Sequence, residues 1–181
     1  MKITIESVNQ ENIADIGKCD GRFAIDSRLI LDVADNAISY RIVEVPRYEK
    51  KYADDILDYA AYINNSEKIV FLAYVGDQIA GQIVLRKNWN QYAYIEDIAV
   101  EIKFRKMGVG KNMIFEAKRW AREKKLKGIM LETQNNNVGA CKFYERCGFQ
   151  LGGFDKYLYK GLQEDTEEIA LYWYYMMNDF A

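Results

Sequence analysis

The chain has 181 residues, 50 % of them hydrophobic and 29 % charged, with a single proline, Pro46; this excludes a disordered or collagenous polypeptide and suits one globular domain spanning residues 1–181. Its 25 basic and 27 acidic residues leave a formal net charge of −2 and are spread along the sequence, so neither nucleic acid nor an anionic membrane is an expected partner. The sequence contains no histidine, which removes Ser/His/Asp and Cys/His nucleophile systems and histidine-ligated metals; acid–base chemistry is left to Glu, Asp, Tyr, Lys or Cys.

In chain order, "KITIESV" (2–8) alternates as a strand does, and "NQENIADIGKCD" after it has the pattern of a short capped helix. Residues 22–45 carry no clear period. "PRYEKKYADDILDYAAYINN" opens on Pro46 and places Tyr52, Ile56, Tyr59 and Ile63 at helical spacing, so a helix is predicted there. "KIVFLAYVGDQIAGQIVLRKN" (68–88) is two β-rich runs around Gly76-Asp77, an antiparallel hairpin, and "YAYIEDIAV" (92–100) is a further strand. Val109, Met113, Ala117, Trp120 and Ala121 recur with helical period up to about Lys125. "KGIMLETQ" (127–134) is a short apolar strand, and a second helix runs from about Val138 to Cys147 and stops at Gly148. "FDKYLYKG" and "EIALYWYYMM" read as a closing pair of strands. "NNSEK" and "QEDTEE" read as solvated turns. The class is mixed α/β (α+β), with a mostly antiparallel sheet flanked by helices.

Cys19, Cys141 and Cys147 match no zinc spacing, no signal-peptide pattern is visible and no apolar run approaches about 18 residues; a reducing cytoplasm and no metal are expected.

The stretch "EIKFRKMGVGKNMIF" (101–115) places Arg105, Lys106, Gly108, Gly110 and Lys111 ahead of an apolar-periodic helix. A Walker A loop ending at Gly110-Lys111 needs glycine at 105 and Ser or Thr at 112, where Arg105 and Asn112 stand. A dinucleotide fingerprint from Gly108 needs Gly or Ala at 113, which is Met113. What remains is R-x-x-G-x-G between a strand and a helix. Glycines admit a ligand close to the backbone, and the unpaired first-turn N–H groups and helix dipole favour a pyrophosphate there. A glycine-rich connection with exposed basic residues is the structural alternative.

A strand ending "IAV", then R-x-x-G-x-G, an amphipathic helix, a strand "IMLET" and finally "NNVGACKFYERCGF" resembles the acyl-CoA-binding core of the GNAT acetyltransferase superfamily over about residues 68–150. More narrowly, "VLRKNWNQYAYIEDIAV" and "LETQNNNVGACKFYERCGF" are similar to the streptothricin acetyltransferases. The resemblance implies the GNAT acyl-CoA N-acyltransferase fold, acetyl-CoA as co-substrate and strands 92–100 and 128–134 splayed around its pantetheine arm. It further implies backbone pairing to pantetheine at Ile98, Ala99 and Val100, and a pyrophosphate grip by Arg105, Lys106, Met107, Gly108, Val109, Gly110 and Lys111. Asn137 would lie beside the cofactor, and Tyr144 would be the general acid that reprotonates the departing thiolate.

An alkyl ammonium of pKa near 10.4 leaves roughly one molecule in a thousand able to attack a thioester at neutral pH, so a carboxylate is needed to take the proton. In a regular strand Tyr92, Tyr94, Glu96 and Ile98 share one face, and Ala93, Ile95, Asp97 and Ala99 the other, so a single carboxylate is expected to face the acceptor. Glu96 is favoured as base because Tyr94 and Tyr92 would wall a cation site on its face. Asp97 is then a second acceptor ligand or a structural hydrogen-bond acceptor, and a bulge would change the assignment. The structural alternative for Tyr144 is a core ring in the stripe Ala140, Phe143, Tyr144 and Cys147. Cys141, lacking a histidine to activate it, is expected to be a buried apolar side chain rather than a nucleophile. The activity expected from the resemblance is direct acetyl transfer, in a ternary complex, to the β-lysine amine of streptothricin, by a monomer or homodimer. The alternatives are another amine acceptor (an aminoglycoside, a polyamine or a protein N-terminus) and a non-catalytic acyl-CoA-binding module.

Overall fold

The computed structural model describes residues 2–51 and 57–177. In chain order the described residues form β1 (Ile3–Ser7), β2 (Phe23–Ala34), β3 (Ala37–Lys50), β4 (Lys68–Val75), β5 (Gln78–Lys87), β6 (Tyr92–Val100), α1 (Val109–Glu123), β7 (Gly128–Gln134), α2 (Val138–Arg146), β8 (Gln150–Asp155) and β9 (Ala170–Met176). They gather into two compact units. The first comprises Met1–Arg22, Lys51–Ile129 and Met177–Ala181; the second comprises Phe23–Lys50 and Met130–Met176.

In the first unit the strand order is β1-β4-β5-β6, with antiparallel pairing throughout. The turn between β4 and β5 is the expected one, with Gly76 in the left-handed region at φ +58°. β4 is buried on both faces because α1 packs on one side and a cluster of Val8, Tyr62, Val70, Leu72 and Val84 fills the other. α1 buries Val109, Met113, Ile114, Ala117, Trp120 and Ala121, the stripe its period predicts, and pairs Arg119 with Glu116 and Glu123 on its outer side. Gly81 makes the close approach of β5, β6 and α1 possible. A Cβ there would stand 2.9 Å from the Ala99 carbonyl oxygen and 2.9 Å from Met113 Cε.

In the second unit β2 and β3 form a long hairpin closed by Asp35 and Asn36, both left-handed (φ +50° and +63°), as a two-residue hairpin turn requires. Its strands β7, β9 and β8 lie in that order, and β8 pairs antiparallel with β9. Asn135 stitches this unit: its side-chain amide donates to the Leu29 carbonyl at 3.1 Å and accepts from Ile169 N–H at 3.0 Å. α2 begins at Asn137, whose side chain accepts from Ala140 N–H at 3.3 Å, and stops before Gly148 at φ +88°.

The class is the expected mixed α+β one, with mostly antiparallel strands and, among the described residues, two α-helices. Three local expectations are corrected. The helix predicted from Pro46 is a strand up to Lys50, Tyr52 and Ile56 lie outside the described residues, and Tyr59–Tyr62 is a single 3-10 turn that buries Tyr62. Pro46 is tolerated in β3 because the register jumps there, from Ile25↔Tyr48 to Ser27↔Glu44, so no ladder bond calls for its missing N–H. "NQENIADIGKCD" is one 3-10 turn, Ile13–Asp15, because the Asn9 and Asn12 side chains bond to each other's backbone and close a turn instead of capping a helix. "FDKYLYKG" is not one strand: β8 ends at Asp155, whose carboxylate accepts from the N–H groups of Tyr157 and Leu158 and starts a 3-10 turn over Leu158–Gly161.

Candidate active site

Strand β6 is not regular. Val84 pairs with Asp97 and Leu85 with Ile95, so Glu96 is an extra residue on β6 with no opposite number on β5, a bulge. Parity therefore breaks at Glu96. Gln82, Val84 and Arg86 share the face of β5 turned from α1, and their partners put Tyr94, Asp97 and Ala99 on that face too. Glu96 reaches the same side, since Arg86 Nε donates to its Oε1 at 2.9 Å and the Tyr62 hydroxyl donates to its Oε2 at 2.6 Å. The expectation that a single carboxylate faces this side is overturned: the bulge turns both Glu96 and Asp97 to it.

Both carboxylates are already met. Glu96, with 18 % of its side chain exposed, has a cation and a phenol on its oxygens, and burial together with Glu96 pushes the Tyr62 hydroxyl well above its ordinary pKa, so it stays a donor. Asp97 accepts from Gln82 Nε2 at 2.6 Å, while Gln82 Oε1 accepts from Gly17 N–H at 2.7 Å. The Tyr94 ring does carry a cation, and it is the chain's own Arg86, 4.8 Å from the ring centroid.

The turn after β6 has the geometry of an anion cradle. Lys106 and Gly108 are left-handed (φ +63° and +91°), and α1 starts at Val109, so the N–H groups of Val109, Gly110 and Lys111 point out of its first turn without helical acceptors. Asn112 ties the turn back, its backbone and side-chain N–H groups donating to the Gly108 carbonyl at 3.0 and 2.9 Å. Lys106, Met107 and Lys111 are exposed. Arg105 does other work: its Nε donates to the Val100 carbonyl and its Nη2 to the Asp20 carbonyl, each at 3.0 Å, fixing the end of β6 against the Cys19-Asp20 segment. Ile98, Ala99 and Val100 pair with Ile83, Gln82 and Gly81.

In the second unit Tyr144 lies on α2, 6 % exposed, its ring 5.4 Å from that of Phe143, 5.8 Å from Phe149 and 6.5 Å from Trp173. This rigid aromatic setting fixes the direction of its hydroxyl. Asn137 is occupied as the cap of α2. Cys141 is fully buried, its thiol pushed up to about 12 chiefly by burial, as an inert side chain should be.

One group was missed in the sequence. Glu132 is the only residue of β7 that is not buried outright, and its carboxyl is pushed up to about 7 by desolvation and then by the charge of Glu168. The Tyr159 hydroxyl donates to it. Lys50 pairs with Glu168, and Asn136 Nδ2 donates to the same Glu168 oxygen at 3.0 Å. The sequence signal was a lone carboxylate inside an otherwise apolar strand. A cavity of about 460 Å³ beside Arg28, Leu31, Phe154 and Lys156 holds none of the sequence-predicted residues.

The profile described as "Acetyltransferase (GNAT) family" matches residues 34–149. Streptothricin acetyltransferase A of Bacillus subtilis (strain 168) is 38 % identical over 165 residues, 91 % of this chain and 94 % of that protein. A streptothricin acetyltransferase of Escherichia coli is 35 % identical over 93 % of this chain and 94 % of its own length. Among solved structures, a Bacillus anthracis protein assigned as a streptothricin acetyltransferase, in complex with acetyl coenzyme A, superposes with a TM-score of 0.91 at 47 % identity, covering 98 % of this chain and 99 % of that one.

Proposed function

The chain belongs to the GNAT acetyltransferase family and is an N-acetyltransferase; from that premise we propose that residues 1–181 act as one enzyme domain that transfers acetyl from acetyl-CoA to the β-lysine amine of streptothricin. The observation that carries the co-substrate is the turn at Lys106–Gly108, with outward N–H groups at the start of α1 and two exposed lysines. The acceptor rests on the three relatives named above, each of which spans nearly this whole chain.

The residues divide the work as follows. The backbone of Ile98, Ala99 and Val100 aligns the pantetheine arm, and an N–H of that segment stabilises the oxyanion formed on attack. Residues 106–111 hold the pyrophosphate through backbone N–H groups and lysine charge, Arg105 keeps that turn in place, and Asn137 lies beside the cofactor as the cap that fixes α2. Glu96, with Asp97 as its neighbour on the same face, takes the proton of the acceptor ammonium. The amine then forms the new C–N bond, the C–S bond breaks, and Tyr144 protonates the leaving thiolate. Because Arg86 already neutralises Glu96, the base works only when the acceptor, or a water it brings, reaches the carboxylate past Arg86. Acetylation removes one positive charge from the antibiotic and weakens its hold on a polyanionic target. The three free cysteines suit action in a reducing cytoplasm.

Thiol release from acetyl-CoA, followed with streptothricin, an aminoglycoside, a polyamine and a peptide N-terminus in parallel, tests this reading. Streptothricin is expected to give the highest kcat/KM. Release with another amine but none with streptothricin would sink the acceptor assignment, and release with none would sink the catalytic one.

A further inference from the structure

The segment from Ile13 to Asp20 is fastened to the sheet of the first unit. Ile13 and Ile16 pack against the cluster that contains Val84 of β5. Gly17 N–H donates to Gln82 Oε1 at 2.7 Å, Asp20 N–H donates to Glu101 Oε2 at 2.9 Å, and Arg105 Nη2 donates to the Asp20 carbonyl at 3.0 Å. The segment therefore lies over the face of β5 on which Gln82 and Val84 stand, the face that also carries Asp97 and receives Glu96. Gln82 is the fastening that reaches a carboxylate of the site. It is 6 % exposed, and the two ends of its amide meet different elements: Oε1 takes the Gly17 N–H, and Nε2 donates to Asp97 Oδ2 at 2.6 Å. A backbone N–H can only donate, so Gly17 fixes which end of the amide is oxygen, and the nitrogen end can only donate to Asp97.

We propose that Gln82 is a positioning residue for acceptor recognition: it holds the Asp97 carboxylate and the Gly17 segment in one fixed relation, so that a cationic acceptor meets an oriented carboxylate beside Glu96. This rests on the N-acetyltransferase reading above and adds to it the residue through which Asp97 is made ready as an acceptor ligand. An ionised carboxylate can accept about four hydrogen bonds, so a donor on Oδ2 sets the plane of the group without exhausting it, and the orientation is in place before the amine arrives. Gln82, buried and engaged at both ends of its amide, acts through Asp97 and not on the substrate. The Cys19 thiol of the segment lies in the field of Asp97 as well; burial, then the charge of Glu101, push it up to about 11, with Asp97 adding to the rise, so the segment presents a neutral group there.

Two substitutions separate the ends of the amide. Gln82→Glu keeps an oxygen for Gly17 N–H and loses the donor to Asp97; Gln82→Met keeps the length of the side chain and loses both. At pH 8 each should raise KM about tenfold for streptothricin, or for whichever amine of the panel above gives the highest kcat/KM, with kcat within about threefold and KM for acetyl-CoA unchanged; far-UV circular dichroism checks that both fold. A residue that only held the segment down would leave Gln82→Glu with the wild-type KM, and that result overturns the proposal. In an Asp97→Asn background Gln82→Met should add less than about twofold, because its effect passes through the carboxylate, and a full tenfold there overturns the proposal too. So does a kcat that falls about a hundredfold at constant KM, which would make Gln82 serve the chemical step. Calorimetry of streptothricin binding to the enzyme loaded with coenzyme A reads the same effect without turnover. If the wild type releases no thiol with any amine, while streptothricin binds it and binds Gln82→Glu about tenfold more weakly, the positioning role stands and the catalytic reading falls. Turnover with an unchanged amine KM in both variants leaves the catalytic reading standing and sinks the positioning role.

Discussion

Glu96 on β6 and Glu132 on β7 are both carboxylates in mostly buried strands, yet their surroundings are opposite. Glu96 comes with its own cation and a phenol, Arg86 and Tyr62, while Glu132 has a phenol, a second carboxylate and a raised pKa. Glu96 has a cation and a phenol on its oxygens before any ligand arrives; Glu132, pushed up to about 7, holds its charge at neutrality only in part. A carboxylate's chemistry is set by what the fold brings against it. Arg86 lies ten residues from Glu96, on the adjacent strand, whereas Glu168 lies 36 residues from Glu132.

Kinetics separates the two carboxylates most directly. Tyr144→Phe removes only the hydroxyl from a ring locked among Phe143, Phe149 and Trp173, so stability should barely change while kcat falls about 10²–10³-fold, up to about 4 kcal/mol of barrier. Glu96→Gln should cost kcat about 10²-fold at constant KM for acetyl-CoA. A loss below about threefold in steady-state assays would mean that Glu96 serves only to hold Arg86 and Tyr62, and the base would have to be sought elsewhere.

The next effect is in stability. The Glu132 carboxyl is pushed from 4.5 to about 7 in the folded protein, so between those values the folded state binds more protons than the unfolded one. Stability must then fall as pH rises through that window, by at most about 3 kcal/mol and nearer 2 with the carboxyl still partly wetted. Glu132→Gln, neutral in both states, should flatten the profile and be the more stable protein at pH 8 by urea denaturation. A wild-type profile that rises steadily from pH 5 to 7.5 and matches that of the variant would show Glu132 to be an ordinary ionised carboxylate.

The elements legible in the sequence are those buried by their own period. The hairpin of β4 and β5, strand β6, helix α1, strand β7 and helix α2 each carry a repeat that their burial explains. The hairpin of β2 and β3 had no such signature, because β3 buries no residue and is held by its ladder and by partners such as Lys142, which donates to Tyr40 from 102 residues away at 2.6 Å. At the site, residue type and strand position single out Glu96 and Asp97, and the family resemblance singles out Tyr144, but the face of the carboxylates is not legible, since a bulge adds a residue without leaving a mark in composition. Arg86 and the Glu132 group were invisible for a related reason: their meaning depends on pairings across strands and loops that no local window contains.

The smallest effects concern the spacing behind β6. Gly81 faces the Ala99 carbonyl oxygen and Met113 Cε, and of the two only the methionine tip can move away from a new Cβ. Gly81→Ala should therefore cost about 1–2 kcal/mol, pushing β5 and β6 apart a few residues from the Arg86–Glu96 pair and raising the sensitivity of kcat to salt as that pair loosens. Gly161→Ala is the control in the other unit. Nothing stands within 4 Å of its Cβ and the residue ends a 3-10 turn without a left-handed φ, so the change should leave activity alone and add up to about 0.5 kcal/mol by limiting the unfolded chain. Equal urea midpoints for the two variants would show that the contact at Gly81 relaxes freely, and the close approach of β5 to β6 would then play no part in setting the bulge that presents Glu96 to Arg86.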